Sequence, residues 1–240
     1  MRKARRDSIC GSGIIHKMWR GHNREHVMAK DSEKRAYLSY LASTFTEKIK
    51  RKVQWHSYCL MSNHAHEGIR ALDVETKRGL RAAVKTFGNW MRNSHSRFGS
   101  DYNRRHKRQG KVAYDRPKTN PVKDEQGLLQ VMFYGDANPE RAGMVSHPSR
   151  YRHSSYLFYA QGKTNEYTEH LTPPPAYLAL GDTPSKRQKK YRSLCDSYLR
   201  EQGLIDDEPS EEGTHGDEFE NSPNQSTECS IRARGDPKQF

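Results

Sequence analysis

Apolar and polar positions along the first 140 residues alternate between two rhythms. Gly13–His22, GIIHKMWRGH, is a β-branched and aromatic run broken by Arg20 and Gly21, and it predicts a first strand. Across Asp31–Lys52 the apolar residues Tyr37, Leu38, Leu41, Phe45 and Ile49 recur at helical spacing. Asp31 or Ser32 can cap that helix, Glu33 sits in its first turn, and Lys and Arg residues close it, all favourable to the helix dipole. Val53–Ser62 predicts a second strand, a turn follows at Ser62-Asn63, and His64–Arg70 predicts a third. Glu75–Phe98 returns to helical spacing, with Leu80, Ala83, Val84, Phe87, Trp90 and Met91 on one side and Gly88 a weak point. A basic loop, Asn103–Gly110, leads to a short strand at Lys111–Asp115, a PKTNPV turn and a third helix over Asp124–Ala137. The order β-α-β-β-α-β plus an extra helix predicts an α+β chain. Its form is a split-βαβ, ferredoxin-like antiparallel sheet with helices on one face. Trp55 and Trp90 are expected in its core.

Past Leu171 the chain changes character. LTPPPAYLALGDTP is a Pro-rich connector, and Ser185–Glu201 predicts a helix with Pro184 suited to its first turn and Tyr191, Leu194, Tyr198 and Leu199 as its stripe. From Gly203 the composition turns to Glu, Ser, Asn, Gly and Pro with few apolar residues, which predicts a disordered, solvated tail rather than an acidic segment folded over the basic body. Three regions follow: residues 1–170 as the main domain, 171–202 as connector and helix, 203–240 as tail.

Composition then narrows the partners. The chain has 240 residues, 32% hydrophobic, enough for one domain with a modest core. Its 42 Lys and Arg against 29 Asp and Glu give a formal charge of +13. Residues from Glu201 onward carry 11 of the acids and 3 of the bases, which leaves 39 basic and 18 acidic residues in the body. A body so basic points to a polyanion, nucleic acid above all. Cys10, Cys59, Cys195 and Cys229 show no CxxC spacing, which suggests neither a zinc knuckle nor a disulfide framework and fits a reducing cytosol. The start MRKARRDSICGSG lacks the apolar segment of a signal peptide, and no window approaches a membrane span. These features predict a soluble cytoplasmic protein with no membrane partner.

Two short segments carry chemistry. In SNHAHEGIR, His64 and His66 stand at i and i+2 of a strand, so both imidazoles share a face while Ala65 takes the other. Such a pair can supply two ligands to a divalent metal or line a polar patch, and needs partners elsewhere to decide. In FYGDANPERAG, Tyr134 and Asn138 are four residues apart and share a helical face. A tyrosine hydroxyl can serve as a covalent nucleophile and an asparagine carbonyl as a hard oxygen ligand; the bland alternative is a core tyrosine beside Phe133. Pro139 disfavours helix at the residue before it, so the helix is expected to end near Asn138.

Taken together these segments resemble a known family. YCLMSNHAHEGIR looks like the His-hydrophobic-His (HUH) motif of single-tyrosine transposases, and FYGDANPERAGMV looks like their nucleophile helix with its NP-x-RAG ending. SRYRHSSYLFYAQGK resembles the Ser-Ser-Tyr segment that follows, and IIHKMWRGHNREHVMAKDSEKRAYL resembles the opening strand, Arg-Gly-x-Asn-Arg loop and first helix. The match spans about Gly13–Lys163 in the family's order, and is nearest to the repeat-associated (REP-associated) tyrosine transposases. Ser62 stands where many relatives have proline, His153 where tryptophan is frequent, and GKVAYDRP matches only loosely. The resemblance implies a Mg²⁺- or Mn²⁺-dependent enzyme that nicks and rejoins single-stranded or hairpin DNA. His64, His66 and Asn138 would hold the metal and Tyr134 would attack to form a 5′-phosphotyrosine. Family members exist as dimers that share active sites and as monomers, so a homodimer stays open. Expected DNA contacts are an N-terminal arm (Arg2, Lys3, Arg5, Arg6), the strand mouth (Arg20, Arg24) and the basic loop (Arg104, Arg105, Lys107, Arg108). Two other readings share the scaffold: a non-catalytic hairpin-DNA-binding protein, and a metal-dependent phosphodiesterase acting through water.

Overall fold

Four strands form one antiparallel sheet: β1 (Ile14–Arg20), β2 (Val53–Leu60), β3 (His64–Ala71) and β4 (Lys118–Pro121), in the order β2-β3-β1-β4. The computed structural model describes residues 4–205. Arg2, Lys3 and the predicted tail lie outside the described residues, apart from Gly203–Ile205. Among the described residues eight α-helices accompany the sheet: α1 (Arg5–Ile9), α2 (Asp31–Thr44), α3 (Glu47–Lys50), α4 (Lys77–Arg105), α5 (Glu125–Arg141), α6 (Tyr156–Gln161), α7 (Pro175–Leu178) and α8 (Pro184–Glu201). None is long and apolar enough to cross a membrane.

Strand register divides the side chains between two faces. Ile15, Lys17 and Trp19 stand opposite Ile69, Glu67 and Ala65, and this face receives α2 and α4. Trp19 packs on Phe98, Trp55 and Phe45 pack on Trp90, and the Trp90 indole N–H donates to the Leu41 carbonyl. Trp55 and Trp90 are fully buried, as expected. Lys17 and Glu67 are buried here as an ion pair, Nζ to Oε2 2.6 Å, with Tyr37 Oη 2.8 Å from the ammonium.

The opposite face, bearing His16, Met18, Arg20, His64, His66 and Gly68, is covered by α5. The expected single helical layer is therefore two layers. The stripe Leu128, Leu129, Met132 and Phe133 needs its own apolar floor, and Gly68 supplies the room: a Cβ there would come within 2.6 Å of Ser57 Oγ and 3.0 Å of Leu128 Cδ1.

Several boundaries differ from expectation, among them the end of α4, which runs to Arg105 and takes Arg104 and Arg105 out of the expected loop. Residues 111–115 meet the end of β1 through an isolated Gly21–Ala113 bridge, with the His22 N–H on the Val112 carbonyl and the Tyr114 N–H on the Arg20 carbonyl. The fourth strand lies instead at Lys118–Pro121, an edge position where proline is tolerated. The first long helix stops at Thr44 because Phe45 leaves helical geometry and turns into the core, 4.5 Å from Trp90 between ring centres. Finally, α5 continues through Pro139 to Arg141, so Asn138 lies inside the helix.

Later residues complete the layer around α5. Tyr191, Cys195 and Leu199 of α8 are buried in the same core, and the Tyr191 hydroxyl donates to Asp136 Oδ2 at 2.7 Å. The outer edge of β2 is taken up by later segments: Leu60 N–H donates to His153 O, Ser155 N–H to Tyr58 O and Thr172 N–H to Trp55 O.

Candidate active site

The α5 face of the sheet brings together His16, His64, His66 and Tyr134. Helix α5 runs from Leu128 over Gly68 to Gly135 beside Cys59, the register partner of His66, which sets Tyr134 against the histidines. The Tyr134 ring stands edge-on to His66 (5.4 Å between centres) and to His16 (5.7 Å). His64 and His66 stand edge-to-face at 4.9 Å, as neighbours on one strand face must. Tyr134 is 38% exposed, so it is not the core tyrosine of the bland alternative, whereas Phe133 beside it is buried.

Asn138 lies one helical turn, about 5.4 Å, beyond Tyr134 along α5. It is 8% exposed, its Nδ2 has no hydrogen-bond partner, and its Oδ1 accepts from Arg141 at 3.4 Å. The Arg141 guanidinium lies over the Tyr134 ring, 5.3 Å from its centre. Tyr134, Asn138 and Arg141 thus form one stripe at i, i+4 and i+7.

Burial makes the imidazoles reluctant to charge. His16 is pushed down to about 4 by desolvation with help from Lys118, and His64 to about 4 by desolvation with help from Arg20. His66 is held well below its usual value by burial, then by His16 and His64. All three are neutral near pH 7, the state in which an imidazole nitrogen has a lone pair to offer.

Neighbouring groups bear on how those lone pairs point. Asn63 Nδ2 donates to the Arg24 carbonyl at 3.3 Å, an acceptor only, so its Oδ1 is the atom 2.6 Å from His64 Nδ1. His66 Nδ1 lies 2.8 Å from His16 Nε2, with the two rings stacked. The Ser62-Asn63 turn is itself held to residues 21–28: Gly21 N–H donates to Asn63 O, Met28 N–H to Ser62 O, and Ser62 Oγ bonds His26. Gly21 is needed there, since a Cβ would come 2.7 Å from Glu25 O.

Among the described residues no three His, Cys, Asp or Glu side chains come together in a way that could hold a metal ion. His16 meets His66 Nδ1 and is no third ligand. The two neutral imidazoles are a donor pair suited to one divalent cation at an anionic substrate; on Asn138 the atom that could join them is Oδ1, which accepts from Arg141, while its unpartnered Nδ2 is a donor.

The expected DNA-contacting residues are unequally available. Arg20 ends β1 opposite His64, and Arg6 and Arg24 are exposed. Arg5 is packed on α4, its guanidinium 5.3 Å from the Phe87 ring centre. Arg104 and Arg105 are ion-paired with Asp101, Arg105 also with Glu33, and Arg108 with Glu25 at 2.5 Å. Arg105 and Arg108 thus tie the end of α4 and the loop after it to earlier segments, while Arg104 pairs within α4. His16, Asn63 and Arg141 are site residues that sequence reasoning missed. Arg141 could have been found from its helical offset to Tyr134, and His16 only from strand register.

No family model matches the chain, and no curated protein does. One similar solved structure is a REP-associated tyrosine transposase bound to a REP hairpin, at 12% identity and a TM-score of 0.45, covering 69% of this chain and 90% of that one. At that overlap the likeness carries no functional weight.

Proposed function

We propose that this chain nicks and rejoins single-stranded or hairpin DNA through a covalent 5′-phosphotyrosine at Tyr134. A divalent cation, Mg²⁺ or Mn²⁺, would be held by His64, His66 and Asn138. The observation that carries the reading is the partly exposed Tyr134 standing edge-on to His16 and His66 on the sheet face that α5 covers. A strand order of β2-β3-β1-β4 with β-α-β-β-α-β connectivity supports naming the fold ferredoxin-like.

A phenol near neutral pH is a weak nucleophile, and the scissile phosphodiester is anionic. When bound, the cation would withdraw charge from a non-bridging oxygen and orient the phosphate. Tyr134 Oη attacks phosphorus and gives its proton to solvent, and the bond from phosphorus to the 3′-oxygen breaks. That oxygen leaves as a hydroxyl after taking up a proton. Attack by another 3′-hydroxyl reverses the step, restores the phenol and joins DNA without an external energy source. Arg141, over the Tyr134 ring, supplies a fixed positive charge to the substrate phosphate.

The test is a denaturing gel of the protein incubated with labelled single-stranded hairpin oligonucleotides and Mn²⁺ or Mg²⁺. A labelled band at protein size that disappears with EDTA and in Tyr134→Phe supports the reading. Cleavage that survives Tyr134→Phe assigns the attack to water. Binding with no cleavage under either metal makes the chain a DNA-binding module.

A further inference from the structure

We infer that Asn63 and His16 are positioning residues that hold His64 and His66 as Nδ1–H tautomers, so that both Nε2 lone pairs are presented to one ligand. The inference deepens the proposed reading and rests on it for the identity of that ligand, a divalent cation.

For His64 the assignment follows from a chain of bonds with only one consistent direction. A backbone carbonyl cannot donate, so the Arg24 oxygen fixes Asn63 Nδ2 on its side at 3.3 Å. The amide oxygen is then the atom 2.6 Å from His64 Nδ1, and that nitrogen must carry the proton. A neutral ring with its proton on Nδ1 has its lone pair on Nε2. The anchor is built into the backbone: Asn23 and Arg24 adopt left-handed φ angles of 49° and 61°, which swing the Arg24 carbonyl toward the turn between β2 and β3.

For His66 the partner is another imidazole. The 2.8 Å contact between His66 Nδ1 and His16 Nε2 takes one proton, from one ring or the other. With the proton on His66 Nδ1, the two rings of the pair His64/His66 present matching lone pairs. With it on His16 Nε2, His66 would present an N–H beside the His64 lone pair, and the two could not share a cation. Second partners of this kind typically set the orientation and basicity of a ligating imidazole, and losing one typically costs 10–100-fold in metal affinity.

The decisive measurement needs no metal. In the full chain labelled with ¹⁵N-histidine, two-bond ¹H–¹⁵N spectra report which nitrogen of each ring is protonated. We expect His64 and His66 both protonated on Nδ1. Asn63→Ala should let His64 populate the other tautomer and weaken Mn²⁺ binding, read by calorimetry, by about 10–100-fold. His16→Phe should do the same at His66, independently of the Ser62-Asn63 turn, whereas His16→Gln, which keeps an acceptor, should hold the tautomer and bind within a few-fold of wild type. An Nε2–H tautomer at either ring of the wild type overturns the inference. So do unchanged spectra and unchanged Mn²⁺ binding in both Asn63→Ala and His16→Phe. A wild type with both rings Nδ1–H that neither binds Mn²⁺ nor forms an adduct overturns the functional reading and leaves the tautomer assignment standing.

Discussion

Arg141 lies over the ring of Tyr134, its guanidinium carbon 5.3 Å from the ring centre, and the same guanidinium donates to Asn138 Oδ1. One cation therefore touches both the proposed nucleophile and the amide beside it. Replacing it with methionine keeps much of the stem's packing and removes the charge. Arg141→Met should slow adduct formation by roughly 10–100-fold, as expected for loss of one preorganised charge at a reacting phosphate, with the melting temperature nearly unchanged. Equal adduct rates in wild type and variant would remove Arg141 from the reaction.

Gly68 is the floor on which α5 rests. Any side chain there meets Ser57 Oγ and Leu128 Cδ1. Gly68→Val should destabilise the protein by about 1–3 kcal/mol in a denaturant titration and suppress adduct formation further than that loss explains, because it lifts Tyr134 from the histidines. A stable Gly68→Val protein with full activity would mean that the spacing of α5 from the sheet does not matter.

Asp136, next but one to Tyr134, is buried against Tyr191, and burial pushes its carboxyl up to about 7 despite hydrogen bonds from Tyr191 and Ser154. The unfolded chain releases that proton near pH 4. Between these values the folded state holds a proton that the unfolded state lacks. The stabilising contribution is therefore complete below about pH 4 and is lost as pH rises through about 7. Buried neutral histidines such as His56, pushed down to about 4, act in the opposite sense between about 4 and 6.5, so wild type alone does not isolate Asp136. Asp136→Asn should gain melting temperature relative to wild type on going from pH 5 to pH 8. Parallel curves would refute the assignment.

Lys17 and Glu67 form a dry ion pair in the middle of β1 and β3. Burial pulls the lysine down and pushes the glutamate up, so each charge depends on the other. Lys17→Met should cost about 3–5 kcal/mol by stranding the carboxylate, whereas Lys17→Met with Glu67→Leu should cost less than either single change. Chemical denaturation of the three variants decides, and additive losses would deny the coupling.

Much of this site was legible because strand geometry is strict. Once HAHEGIR is a strand, His64 and His66 must share a face. Once FYGDANPER is a helix, Tyr134 and Asn138 must share another. What the pattern did not carry was which side of the sheet α5 would choose, since Gly68 reads as a weak strand residue until something packs on it. Pro139 misled for a related reason. Proline disfavours helix before it, but Asn138 and Pro139 are both buried, and tertiary packing holds them helical at the loss of one bond to the Gly135 carbonyl. The ion pairs of Arg105 with Glu33 and of Arg108 with Glu25 were not legible either, because those carboxylates lie more than 70 residues earlier in the chain.

The sheet's two borders are closed by different means. Along β2 the free N–H and C=O groups are taken by residues 153–155 and 171–172, and along the far side β4 is four residues long, with a lysine at one end and a proline at the other. Neither border is a long open edge of the kind a foreign strand extends. A second copy or a protein partner that joined by strand addition would have only the four-residue outer edge of β4 to use.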